Sequence, residues 1–132
     1  MNASSPKTKR TALHFAALEG NNDLVEVLLT WGATVDQQDH SGSAPLYYAC
    51  QEGHVDCVLT LSKAGANLSL PQGTLTMDWK HWSGGHPIHV AAVGNHVQVL
   101  KTLLELGCSP NAVSINMINK FYKKNLLNFL FR

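Results

Sequence analysis

With 132 residues, 45% of them hydrophobic and 14% charged, the chain has the length of one domain able to bury a core of its own. A formal net charge of +1 excludes broad electrostatic capture of nucleic acid or of an anionic membrane by the chain as a whole. The charge is unevenly spread: residues 11–119 hold all nine acids against Lys63, Lys80 and Lys101, a net of −6, which suits a basic partner surface.

Residues 1–10, MNASSPKTKR, carry Lys7, Lys9 and Arg10 without an acid and read as a disordered basic N-terminus. They contain no apolar run of the kind a secretory signal needs. No stretch of the chain approaches the roughly 18 apolar residues of a membrane span. Three cysteines, an odd number without short paired spacing, fit a reducing compartment. The expected localisation is therefore cytoplasmic or nuclear.

From residue 11 onward the chain repeats itself. Thr11-Ala12-Leu13-His14 overlays Ala44-Pro45-Leu46-Tyr47 at an offset of 33 residues, and the register holds without a gap through Ala16/Ala49, Gly20/Gly53, Val25/Val58, Leu28/Leu61 and Gly32/Gly65. A third copy begins at His86-Pro87-Ile88-His89, offset by 42, so nine residues are inserted before it. In each copy a branched aliphatic followed by small residues (Leu13, Ala16 and Ala17 in the first) forms one narrow helical face that lets a neighbour approach closely. Gly20, Gly53 and Asn95 stand where that helix stops and a left-handed residue is required. A second helix follows, with Leu24, Val25, Leu28 and Leu29 as its apolar stripe, and Gly32 ends it. Two helices of this length cannot bury their faces alone, so neighbouring copies must stack.

These segments, RTALHFAALEGN…LVEVLLTWGA, APLYYACQEGHVDCVLTLSKAGA and HPIHVAAVGNHVQVLKTLLELGC, resemble the ankyrin repeat. The resemblance implies an all-α solenoid of three helix-loop-helix repeats over 11–113 (11–43, 44–76 and 86–113), with an insert at 70–85 and a basic apolar tail at 114–132. It also implies a domain that binds proteins. The family's T-P-L-H turn ties the helix start to the loop, and here it is degenerate: the threonine is kept only as Thr11, the proline is Ala12 in the first copy, and the histidine is Tyr47 in the second. The second copy is accordingly expected to be the least stable. In the ankyrin architecture the residue after the turn histidine points to the concave groove. Phe15, Tyr48 and Val90 are thus expected to form an apolar ladder there, or else to be partly buried between repeats. Leu18, Glu19, Gln51 and Glu52 lie one turn further on.

Seven histidines and three cysteines invite a metal hypothesis. Most are taken up by the repeat: His14 and His89 at the turn, His54 and His96 after the helix stop, Cys50 and Cys57 at apolar positions. His81 and His86 lack a nearby cysteine and do not meet zinc-ligand spacing. Neither a nucleophile elbow nor a phosphate-cradling glycine loop is present. No catalytic, cofactor or metal site is expected.

The insert, LPQGTLTMDWKHWSGG, carries Met77, Trp79, Lys80, His81 and Trp82. A lengthened loop projects from a helix stack, so the tryptophans either anchor a partner or fold back over the adjacent helices. The tail, SINMINKFYKKNLLNFLFR, places Ile118, Tyr122, Leu126 and Phe129 at helical spacing beside Lys120, Lys123 and Lys124. It either caps the third repeat, stays frayed, or anchors the chain to a membrane or nucleic acid while the repeats hold cargo. PLYYACQEGHVDCV, the Trp-bearing insert before a PIH turn, and Gly107-Cys108-Ser109-Pro110-Asn111 are similar to the ankyrin-repeat and SOCS-box family, whose repeats hold a substrate for a cullin ubiquitin ligase. The tail shows none of that box's Leu-Cys and Pro pattern, so a cullin link is expected only through a longer isoform.

Overall fold

The computed structural model describes residues 3, 4, 7, 9–70 and 86–108. Six helices run through them: α1 (Ala12–Glu19), α2 (Asn22–Thr30), α3 (Pro45–Glu52), α4 (Val55–Lys63), α5 (Pro87–Val93) and α6 (Val97–Glu105). Among the described residues no strand forms. Ser4 and Thr11 make one isolated antiparallel bridge.

Each helix pair is built by local chemistry. Thr11 caps α1, and Pro45 and Pro87 occupy the first position of α3 and α5, where a missing N–H costs nothing. The inner helices stop as the repeat requires. Gly20 and Gly53 are left-handed at φ 73° and 77°, and the chain turns back through Asn21 N–H to the Ala16 carbonyl (3.0 Å) and His54 N–H to the Ala49 carbonyl (2.8 Å). In the third pair α5 ends at Val93, and the left-handed residue is Asn95 at φ 59°.

Stacking supplies the core. α1 packs on α3 and α3 on α5 as an inner row; α2, α4 and α6 form the outer row behind them. Equivalent positions sink together: Leu13, Leu46 and Ile88; Ala16, Ala49 and Ala91; Ala17, Cys50 and Ala92; Val25, Val58 and Leu100. The small residues in the second and third columns let the inner helices pack closely, and removal of apolar surface along the shared seam drives the assembly.

One expectation about the outer helices is corrected. Leu24 does not belong to the buried stripe: it is 41% exposed, whereas its equivalents Cys57 and Val99 are fully buried. The cause is position in the stack. α4 and α6 are covered by the outer helix of the preceding repeat, and α2 has no helix among the described residues on that side.

Candidate inner-face binding site

The loop joining the first two repeats is held by a buried polar cluster. The Asp39 carboxylate accepts from the backbone N–H groups of Ser41 and Ser43, each at 2.9 Å, and from the Tyr48 hydroxyl. Arg10 closes the cluster: its Nε lies 3.5 Å from Asp39, its terminal nitrogen donates to the Tyr48 oxygen at 3.1 Å, and its guanidinium sits 4.7 Å over the Tyr48 ring. Burial works against the Arg10 charge, but the Tyr48 and Asp39 contacts outweigh it and hold its pKa above the ordinary value. Burial, reinforced by the bond to Asp39, pushes the Tyr48 phenol up.

The turn histidines tie loops to helices. His14 Nδ1 accepts from Thr11 N–H at 3.0 Å, which leaves Nε2 to donate across 29 residues to the Ser43 carbonyl at 2.8 Å. Burial lowers the His14 pKa against the opposing pull of that carbonyl. In the third repeat His89 Nδ1 accepts from His86 N–H at 2.8 Å; burial, with His86 adding repulsion, brings His89 down to about 4. Tyr47 holds the equivalent place in the second repeat as a buried ring stacked edge-on against Tyr48, and Ala44 offers no side-chain cap.

A second pair of histidines sets the spacing between repeats. His54 Nε2 donates to the Leu18 carbonyl at 3.0 Å, and His96 Nε2 to the Gln51 carbonyl at 2.8 Å. Each bond falls at the C-terminal end of an inner helix, where orphan carbonyls need donors. It therefore fixes the register of α1 against α3, and of α3 against α5, at the end where Glu19 and Glu52 are displayed.

The residues expected to contact a partner separate on this frame. Phe15 is 44% exposed, with Glu19, Gln51 and Glu52 exposed beside it and Leu18 half-buried. The three-rung ladder does not form. Tyr48 is 5% exposed, clamped between Arg10, His14 and Asp39, and Val90 is buried in the core cluster of α5. For these two the alternative of burial between repeats holds. Arg10, expected in a disordered tail, is half-buried and bonded. Met77, Trp79, Lys80, His81 and Trp82 lie outside the described residues, as does the 114–132 tail.

Among the described residues no group of three or more His, Cys, Asp or Glu side chains gathers closely enough to hold a metal ion. Burial pushes the thiols of Cys50, Cys57 and Cys108 up, so they stay protonated at neutral pH and offer no thiolate nucleophile. No described helix is long and apolar enough to cross a membrane. Sequence reasoning passed over Val27 and Trp31, which are 53% and 73% exposed. The signal was available: Val27 stands where the other copies have Thr60 and Thr102.

Stacked helix pairs whose loops and spacing are locked, with polar and aromatic side chains displayed on the inner row, define a scaffold for gripping other proteins. The chain belongs to the ankyrin-repeat family: the family model for ankyrin repeats in three copies matches residues 1–72, and that for a single ankyrin repeat matches residues 83–115. Human protein phosphatase 1 regulatory subunit 27 is 41% identical over 56 residues, 42% of this chain and 36% of its own length. The rat palmitoyltransferase ZDHHC17 is 41% identical over 68 residues, 51% of this chain and 11% of its own. The Arabidopsis thaliana E3 ubiquitin-protein ligase KEG is 43% identical over 60 residues, 45% of this chain and 4% of its own. The chain thus spans about a third or less of the length of these relatives.

Proposed function

We propose that the chain is a non-catalytic adaptor that recruits a protein partner on the inner face of its first two repeats, acting in the cytoplasm or nucleus. One observation carries the reading: Phe15 stands exposed on α1 one turn before the exposed Glu19, and the equivalent acid Glu52 is exposed on α3, on helices whose spacing the His54 bond fixes. An exposed aromatic anchor with acids on the same row suits an apolar side chain flanked by Lys or Arg. The relatives support the binding role in general terms. Proteins named for phosphatase regulation, palmitoyl transfer and ubiquitin ligation share the ankyrin stretch, and nothing in those three chemistries is common to all.

Within that role, substrate recruitment for a ubiquitin ligase is the finer reading. It rests on the motif likeness of PLYYACQEGHVDCV and Gly107-Cys108-Ser109-Pro110-Asn111 to SOCS-box ankyrin proteins, and it requires a longer form of the protein carrying the box.

The test is affinity purification with the wild type and a Phe15→Ala/Glu52→Lys variant whose thermal melt matches it. Partners retained by the wild type and lost from the variant support the inner face; an unchanged set rejects it. Co-purification of a cullin or elongin with this chain supports the ligase reading and overturns its need for a longer form.

A further inference from the structure

The outer helix α2 and the residue after it carry an apolar row, Leu24, Val27 and Trp31 at i, i+3 and i+7, which is exposed along its length with Leu28 half-buried beside it. The neighbouring row, Asp23, Glu26 and Thr30, is also exposed and holds two acids, and α2 contains no base. In α4 and α6 the residues equivalent to Leu24 and Leu28 are Cys57 with Leu61 and Val99 with Leu103. All four are fully buried, because the outer helix of the preceding repeat lies over them. The face on α2 is therefore of the kind this fold uses to receive a helix.

Two positions in the first repeat argue that the helix it receives is not that of another repeat. His54 and His96, at the start of α4 and α6, reach back to the carbonyls of Leu18 and Gln51, so each grips the inner helix of the repeat before it. The equivalent residue in the first repeat is Asn21, whose side chain instead caps its own helix, accepting from Leu24 N–H at 3.2 Å. Across the α2–α4 join the Thr60 hydroxyl donates to Asn22 Oδ1 at 2.6 Å. The residue equivalent to Thr60 on α2 is Val27, whose side chain neither donates nor accepts. Neither polar grip is kept in the first repeat, and at Val27 apolar surface takes its place.

We propose that α2 is the docking face for an amphipathic helix of another protein, one whose apolar side chains recur at i, i+3 or i+4 and i+7 and whose adjoining row carries Lys or Arg. That helix lies along α2 as α2 lies along α4, its apolar row against Leu24, Val27 and Trp31 and its bases facing Asp23 and Glu26. Trp31, at 73% the most exposed large apolar side chain among the described residues, supplies the largest single contact. The acids beside it select the partner and its orientation more than they add affinity. This contact uses the outer row and is independent of the inner-face reading.

Amide chemical shifts of the full chain, titrated with a synthetic helical peptide of Ala, Leu and Lys built to that pattern, test it. Shifts are expected along α2 and at the Trp31 indole. The same peptide with Glu in place of Lys is expected to bind about tenfold more weakly. Val27→Asp sets a charge within the apolar row and is expected to weaken the Lys peptide by about tenfold or more. Where that variant fails to give a cooperative melt, Trp31→Ala at the more exposed end of the row replaces it. The Phe15→Ala/Glu52→Lys variant is expected to bind the peptide as the wild type does, which separates this face from the inner one. Absence of α2 shifts at millimolar peptide overturns the proposal. So does equal binding of the Lys and Glu peptides, or a Val27→Asp variant that melts as the wild type does and binds unchanged. A wild type that self-associates in sedimentation and returns to monomer on Val27→Asp gives the face to a second copy, and equally overturns it.

Discussion

The His54 imidazole fills the space a side chain on Gly20 would need: a Cβ there would stand 2.5 Å from the His54 Nδ1. His96 lies over Gly53 in the same way, again at 2.5 Å. The glycine thus serves two ends at once, accepting φ near 75° and admitting the ring that bonds back to the preceding inner helix. In the third repeat Asn95 takes the equivalent left-handed position, at φ 59°.

Gly20→Ala and Gly32→Ala therefore separate conformational cost from displacement. At Gly32 a Cβ meets nothing within 4 Å, so the substitution costs only the left-handed backbone, about 1–2 kcal/mol. Gly20→Ala adds loss of the His54 bond to Leu18 and is expected to cost about 1–3 kcal/mol more. Urea midpoints of the two variants measure the difference. In a His54→Ala background the extra cost of Gly20→Ala should vanish, and equal costs in both backgrounds would show that the ring is not what the glycine accommodates.

The Asp39 cluster makes a different prediction, since it buries a carboxylate. Asp39→Ala strands the Ser41 and Ser43 N–H groups and the Tyr48 hydroxyl together, and is expected to cost about 3 kcal/mol. Tyr48→Phe removes one donor and leaves the others in place, for about 1 kcal/mol. Arg10→Ala and Tyr48→Phe should be non-additive by about 1 kcal/mol or more, because the guanidinium contacts both the ring and the hydroxyl. Chemical denaturation of the single and double variants completes the cycle.

Much of this frame is legible in the residues themselves. The 33-residue spacing, the small column Ala16/Ala49/Ala91 and the stops at Gly20 and Gly53 each report a local requirement, and each stands where the spacing puts it. What the pattern did not convey are properties of one copy's neighbours. Tyr48 occupies the same slot as Phe15, yet it is buried because Arg10 reaches it from before the repeat and Asp39 from the loop ahead. Leu24 matches Cys57 in sequence register but differs in exposure, because burial there is supplied by the preceding helix. A periodic reading assigns every copy the same surroundings, and at the ends of a stack that assignment fails.

Acid should weaken the third and first repeats through their turn histidines. The His89 pKa is about 4 in the fold against roughly 6.5 in the unfolded chain, so the unfolded state binds more protons between these values. Stability contributed by neutral His89 is complete above about pH 6.5 and falls progressively as the pH drops toward 4. His14, lowered also by burial, acts in the same direction. The melting temperature is expected to drop by several degrees between neutral pH and the middle of that window. His89→Leu should lower stability at neutral pH, through loss of the bond from His86 N–H, while flattening the acid dependence. An unchanged slope in that variant would assign the acid sensitivity to other groups.

The second repeat is the place where local chemistry is thinnest. In the first, Thr11 and His14 exchange hydrogen bonds at the start of α1, with His14 N–H reaching the Thr11 hydroxyl at 3.5 Å and Thr11 N–H reaching the His14 ring at 3.0 Å. In the second, Ala44 has no side chain to cap α3, and Tyr47 has no ring nitrogen at the position that His14 uses, so the Thr11–His14 exchange has no counterpart there. Ala44→Thr supplies the missing hydroxyl beside Pro45, whose fixed φ already favours the helix start. The substitution is expected to raise stability by about 0.5–1 kcal/mol, within the range measured for threonine against alanine at a helix cap. Amide exchange locates the effect: in the wild type the first turn of α3 should exchange faster than that of α1, and Ala44→Thr should slow α3 while leaving α1 unchanged. A uniform slowing of both helices would show that the three repeats open together, and that the weak cap is not the site of opening.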